Sequence, residues 1–142
     1  MTPFSKVYEA FLTKILDDEW ESWMVEEAEQ DWHQILNAAI PWFKFPRVSL
    51  EQTEEGFVGD LGVSEISILS NYMKCEWLNR CIMTWEHIKP MYEERDFSEA
   101  NLIDKLRALL EEERKAALWQ ENIYYRSRSG KPFDYKKLAG SQ

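Results

Sequence analysis

The residues able to do chemistry in this 142-residue chain are few and dispersed. His33 and His87 are its two histidines and fall on different segments. Neither has a further His or Cys at a ligand spacing, so no convergent donor set for a metal is expected. Cys81, Glu86 and His87 bring together a thiol, a carboxylate and an imidazole. Six residues along a helix separate their directions, and no strained elbow presents the thiol, so a packed thiol and a surface histidine are the expectation. Carboxylates recur as Glu26 with Glu27, Glu54 with Glu55, and Glu111 to Glu113. Adjacent carboxylates on a helix diverge, and nothing apolar surrounds these to raise a pKa, so they read as solvated faces. The glycines of "GFVGDLG" are spaced like a phosphate cradle, but no Lys-Ser or Lys-Thr follows and no strand-loop-helix order contains them. No catalytic residue, cofactor or metal is predicted.

The elements that would position these residues are mostly helices. Phe4, Val7, Tyr8, Phe11, Leu12 and Ile15 recur at i, i+3, i+4, i+7, i+8 and i+11, one stripe of a helix with Thr2 as its cap and Pro3 in its first turn. A second helix is predicted from about Asp18 to Ala39, with Trp20, Trp23, Met24, Ala28, Trp32, Ile35 and Leu36 inward. Asp17, Asp18 and Glu19 suit its positive end, and Pro41 closes it. Residues 42–63 lose the period and gain Pro46, Gly56, Gly59 and Gly62. Extended pieces near 44–50 and 56–61 are predicted to form a hairpin around "EQTEE", with Pro46 confining its piece to an edge.

From Ser64 to about Glu94 the helical signal returns, with apolar residues from Ile66 to Trp85 on more than one face, so this helix should be covered on several sides. Pro90 should kink or shorten its end. Asp96 or Ser98 then caps a last helix over about 98–126. Its stripe is Leu102, Leu106, Leu109, Leu110, Ala117, Ile123 and Tyr124, and Glu111 pairs with Lys115 on a solvated face. The organisation expected is one helical domain over 1–126, with an irregular or β-hairpin insertion at about 42–63 between helices 2 and 3, and an extended tail over 127–142. The fold class is mainly α, a four-helix bundle.

The charge is −9 overall, but residues 126–142 hold five Lys or Arg against one Asp, a net +4, leaving −13 on residues 1–125. A body that acidic repels phosphates, which argues against sequence-reading nucleic-acid binding. No basic leader with an apolar run opens the chain and no long apolar run crosses a membrane, so a soluble, unsecreted protein is expected. Cys75 and Cys81 point to roughly opposite faces of one helix and cannot bridge each other, in keeping with a reducing compartment. The seven tryptophans exceed what a small four-helix core comfortably fills. Trp20, Trp23, Trp42, Trp77 and Trp85 are therefore candidate anchors between chains, because interfaces concentrate their binding energy in such residues.

The segments "TPFSKVYEAFLTKI", "AAIPWFKFP", "LGVSEISILSNYMKCEWLNRCI" and "DFSEANLIDKLRALLEEERK" together resemble the head-tail connector, or adaptor, proteins of tailed bacteriophages. The likeness spans nearly the whole chain and lies in helix starts and apolar spacing. It implies a connector-type bundle without enzymatic activity that forms a ring of about twelve copies under the portal protein, above the next neck or tail protein. It further implies a place in the virion neck, after assembly in the host cytoplasm, and docking of the C-terminal segment on the portal. Arg126, Arg128, Lys131, Lys136 and Lys137 would meet an acidic portal surface, while Phe133, Tyr135 and Leu138 fill pockets or add a strand, ordering on binding. Glu51, Glu54, Glu55 and Asp60 are candidates for a channel-facing or tail-facing loop past which DNA moves without sticking. The rival reading is a small acidic phage inhibitor that mimics DNA and blocks a host nuclease or DNA-binding protein. Such a mimic needs regularly spaced outer carboxylates and has little use for a basic, aromatic tail.

Overall fold

A computed structural model of the chain describes residues 1–15, 20–88 and 97–126, the side chains of residues 85, 87, 88 and 97–102 excepted. Among the described residues a two-residue strand β1 (Thr2–Pro3) leads into helix α1 (Phe4–Lys14). Helix α2 (Val25–Ala39) follows and runs into a 3-10 turn at Ile40–Trp42. After the strand β2 (Gly56–Phe57) come the long helices α3 (Val63–Ile88) and α4 (Phe97–Arg126). The fold is mainly α, with four helices and one small sheet.

Helix α3 is the hub, and α1, α2 and α4 each pack against it. Its buried residues Ile68, Leu69, Tyr72, Met73, Cys75, Leu78 and Ile82 spread over an arc too wide for one partner. Facing them from α1 are Phe4, Val7, Tyr8 and Phe11, and from α2 Ala28, Ile35, Leu36 and Ala39. Helix α4 contributes Leu110, Ala117 and Tyr124 to the same core. Burying a Leu or Phe side chain fully is worth about 1.5–3 kcal/mol, so the stripes rather than helix propensity hold these elements.

Three local expectations are corrected. Thr2 does not cap α1: the residue before the helix is Pro3, with no side-chain capping bond. The Thr2 hydroxyl instead donates to Gly59 O at 2.9 Å and accepts from Leu61 N at 2.8 Å, pinning the insertion to the chain's start. Helix α2 begins at Val25 rather than near Asp18, with Glu26 and Glu27 as its first-turn acids. The reason is Trp20, whose ring is buried edge-on to Phe11 and Trp32, and whose indole N–H reaches Asp31 one and a half turns into α2. To do so the chain bends through residues 20–24, leaving Trp23 and Met24 exposed rather than inward.

The predicted hairpin is the third correction. No strand forms over 44–50, and β2 pairs antiparallel with β1, Thr2 opposite Phe57 and Pro3 opposite Gly56. Phe57 is fully buried against Phe4, 5.2 Å between ring centroids, so burial selects the N-terminal partner. A tight turn does remain: Gln52 bridges Phe57, Val58 N donates to Glu51 O and Thr53 N to Gly56 O. Residues 43–47 spend their backbone donors on α4 instead, Phe45 N on the Tyr125 hydroxyl at 3.0 Å and Arg47 N on that of Tyr124 at 2.8 Å. A segment whose N–H groups are satisfied by side chains has none left for a ladder. Asp17, Asp18, Glu19, Pro90 and Asp96 lie outside the described residues, as does the Trp85 side chain.

Candidate functional site

The largest concave feature is a cleft of about 780 Å³ where the starts of α1 and α2 face the turn at residues 51–58. Its floor is aromatic, Phe4 packing edge-on to His33 at 4.8 Å and stacking on Tyr8 at 6.2 Å. The Tyr8 hydroxyl lies 3.0 Å from His33 Nδ1. Its rims are acidic, Glu26 and Glu29 on α2 and Glu54 and Glu55 at the turn, and no Lys or Arg lines it. None of these four glutamates pairs with a cation among the described residues. Burial, reinforced by the charge on Glu29, pushes the Tyr8 hydroxyl up to about 12, so it stays protonated. Among the described residues no group of three His, Cys, Asp or Glu side chains converges as a metal site would require.

The predicted acidic loop does not act as one unit. Glu54 and Glu55 face the cleft, whereas Asp60 is exposed and takes an ion pair from the N-terminal ammonium of Met1. That partner holds the Asp60 carboxyl below its ordinary value. Glu51 is exposed and is not among the residues lining the cleft. Arg126 ends α4, and the rest of the proposed docking set, Arg128, Lys131, Phe133, Tyr135, Lys136, Lys137 and Leu138, lies outside the described residues.

The tryptophan anchors divide. Trp20 is removed from the list, since it is a core residue of its own chain. Trp77 is half-buried and packs against that core. Trp23 and Trp42 stay exposed. Trp42 donates its indole N–H to Glu76 at 2.7 Å and stacks on Tyr72 at 6.0 Å, which presents one face of its ring outward with Arg114 5.8 Å from it. Three exposed groups escaped the sequence reading: Phe45 at 71% exposure, Trp119 at 68% with its neighbour Leu118, and Met24 with Val25. A signal for Trp119 exists. It stands 200° from Ala117 around the helix, off the stripe that Leu106, Leu110, Ala117 and Tyr124 define. Phe45 carried none, because its segment has no period.

Polar groups inside the bundle fix its geometry. Glu121, only 2% exposed, accepts from the hydroxyls of Tyr72 and Tyr125 and from Lys44 N at 3.3 Å. Burial, then the bond to Glu121, pushes Tyr125 up to about 12. Lys14 inserts from α1 between α3 groups, donating to Ser67 O at 3.0 Å, Ser70 Oγ at 2.6 Å and Asn71 Oδ1 at 2.6 Å. Although Ser70 beside Lys14 offers a hydroxyl and an amine, Ser70 is fully buried and lines neither of the molecule's two main clefts, so the pair is structural. No helix among the described residues is long and apolar enough to cross a membrane.

No family model, no curated protein and no solved structure matches the chain.

Proposed function

We propose that this chain is a structural subunit of a tailed-phage neck, a head-tail connector that forms a ring between the portal and the next neck or tail component. The observation that carries the reading is the placement of large exposed apolar side chains on separate elements: Met24 and Val25 where α2 starts, Phe45 in the insertion, and Leu118 and Trp119 on α4. A closed ring is heterologous, one face of a subunit meeting a different face of the next, so each chain needs two unlike sticky surfaces. A monomer acting alone has no use for them.

The acidic body, −13 over residues 1–125, would let DNA pass without adhering, and the subunit's role would be fit rather than chemistry. The basic segment after Arg126 is the portal-binding element in this reading. Deleting residues 127–142 tests it: the helices should remain folded by far-ultraviolet circular dichroism while capture by purified portal is lost. Undiminished capture by the truncated chain would overturn the docking role. Electron microscopy of the full chain, alone and mixed with portal, should reveal rings. A chain that stays solitary beside portal and neck components, yet inhibits a nuclease, would favour the DNA-mimic reading.

A further inference from the structure

We propose that the cleft between α1, α2 and the 51–58 turn is the seat of the chain's own C-terminal segment, residues 127–142. This inference is independent of ring formation and of the portal. It starts from an unmet demand, since four glutamates on two opposed rims face each other across an aromatic floor without a cation among the described residues. An occupant must therefore be cationic at its edges and apolar between them.

The C-terminal segment has that order. In an extended chain alternate side chains share a face, which puts Lys131, Phe133, Tyr135 and Lys137 together and turns Asp134 and Lys136 the other way. Two rings between two ammonium groups match two aromatic floor residues, Phe4 and Tyr8, between the Glu26/Glu29 and Glu54/Glu55 rims. Segment 127–142 carries four Lys or Arg against one Asp, opposite in sign to the cleft.

The segment also reaches. Helix α4 ends beside Arg47, which donates to Tyr124 O and stacks 3.9 Å over the Tyr124 ring. Thr53 on the rim is six residues on from Arg47, at most about 22 Å of extended backbone, while sixteen residues span roughly 55 Å. A tether of that length holds its end near the cleft at an effective concentration of order millimolar, which favours the chain's own tail over a second copy's. A partner that binds the tail would have to draw it from this seat.

Amide spectra of the full-length chain provide the test. Lys131→Glu with Lys137→Glu should shift the resonances of Ser5, Gln30, Glu54 and Glu55, and adding Glu29→Lys with Glu54→Lys should restore them toward wild type. Lys136→Glu, on the other face, should leave them nearly unmoved, and the wild-type spectrum should not change on dilution. Cleft resonances indifferent to the double reversal overturn the seat. Resonances that move on dilution assign it to a second copy and overturn the intramolecular seat. Portal capture by the wild-type chain is measured separately, so either idea can fail without the other.

Discussion

At the scale of single residues, two buried polar groups carry more structural consequence than the exposed acids that dominate the composition. Glu121 is the acceptor for two phenols and a backbone N–H, tying α4 to α3 and to the insertion at one point. Glu121→Ala would strand those donors in a closed space, at a cost of about 3 kcal/mol. Glu121→Gln, which keeps a carbonyl oxygen, should cost less. Urea unfolding of both variants decides this, and an alanine variant within about 0.5 kcal/mol of wild type would contradict it.

Lys14 makes a different prediction. Burial first and the Lys74 charge second push its ammonium down from 10.5 to about 8, against the attraction of Glu113. Above about pH 8 the folded chain releases a proton that the unfolded chain still holds, so this group adds stability as pH rises toward 10.5 and withdraws it as pH falls through 8. The Cys75 thiol, pushed up from 9.0 to about 11 chiefly by burial, acts in the opposite sense above pH 9. Wild type should therefore gain thermal stability between about pH 8 and 9, and Lys14→Met should lose that gain. Parallel melting curves for the two proteins across this window would refute the assignment.

At the scale of elements, the small sheet is the device that holds the insertion. A Cβ on Gly56 would collide with the Thr2 carbonyl oxygen and stand 2.8 Å from Pro3 Cα, both rigid backbone. Gly56→Ala should thus cost about 2 kcal/mol and loosen β1 from β2. Hydrogen exchange should quicken at Phe57 and Leu61 while the interior of α3 keeps its protection. Uniform loss of protection would mean that the sheet is not a separable unit. The start of α2 rests on a comparable local device. Asp31 takes the Trp20 indole at 2.7 Å and the Arg80 guanidinium at 2.7 and 3.0 Å, joining the bend, α2 and α3. Burial works to raise the Asp31 carboxyl, but these bonds outweigh it and hold it below its ordinary value.

At the scale of the whole molecule, the division is between an interior organised around α3 and an exterior with apolar groups on several elements. Trp119 illustrates the consequence. Being 68% exposed, it should tolerate Trp119→Ser with a change in monomer stability within about 0.5 kcal/mol, yet the variant should assemble poorly if this face is covered in the ring. Sedimentation of the variant with portal checks this, and normal assembly would remove Trp119 from the interface. Tryptophan emission should also shift to shorter wavelength on assembly, because Trp23, Trp42 and Trp119 begin in contact with solvent. An unchanged spectrum would place all three outside any contact.

Periodicity by itself determined the helices. The α1 stripe, the many-sided α3 and the bounds of α4 all follow from spacing, since a 3.6-residue repeat is a local property that tertiary packing reinforces. Pro41 likewise marks the end of α2 through its own ring geometry. Tertiary structure alone decided which segment pairs with β2, why α2 starts late, and which tryptophans are core. Each depends on a partner far along the chain: Thr2 for Gly59 and Leu61, Asp31 and Arg80 for the bend at Trp20, Tyr124 and Tyr125 for residues 45–47. The cleft belongs to the same class, for Glu26 and Glu55 are solvated acids in one dimension and opposing rims only once α2 and the turn are brought face to face.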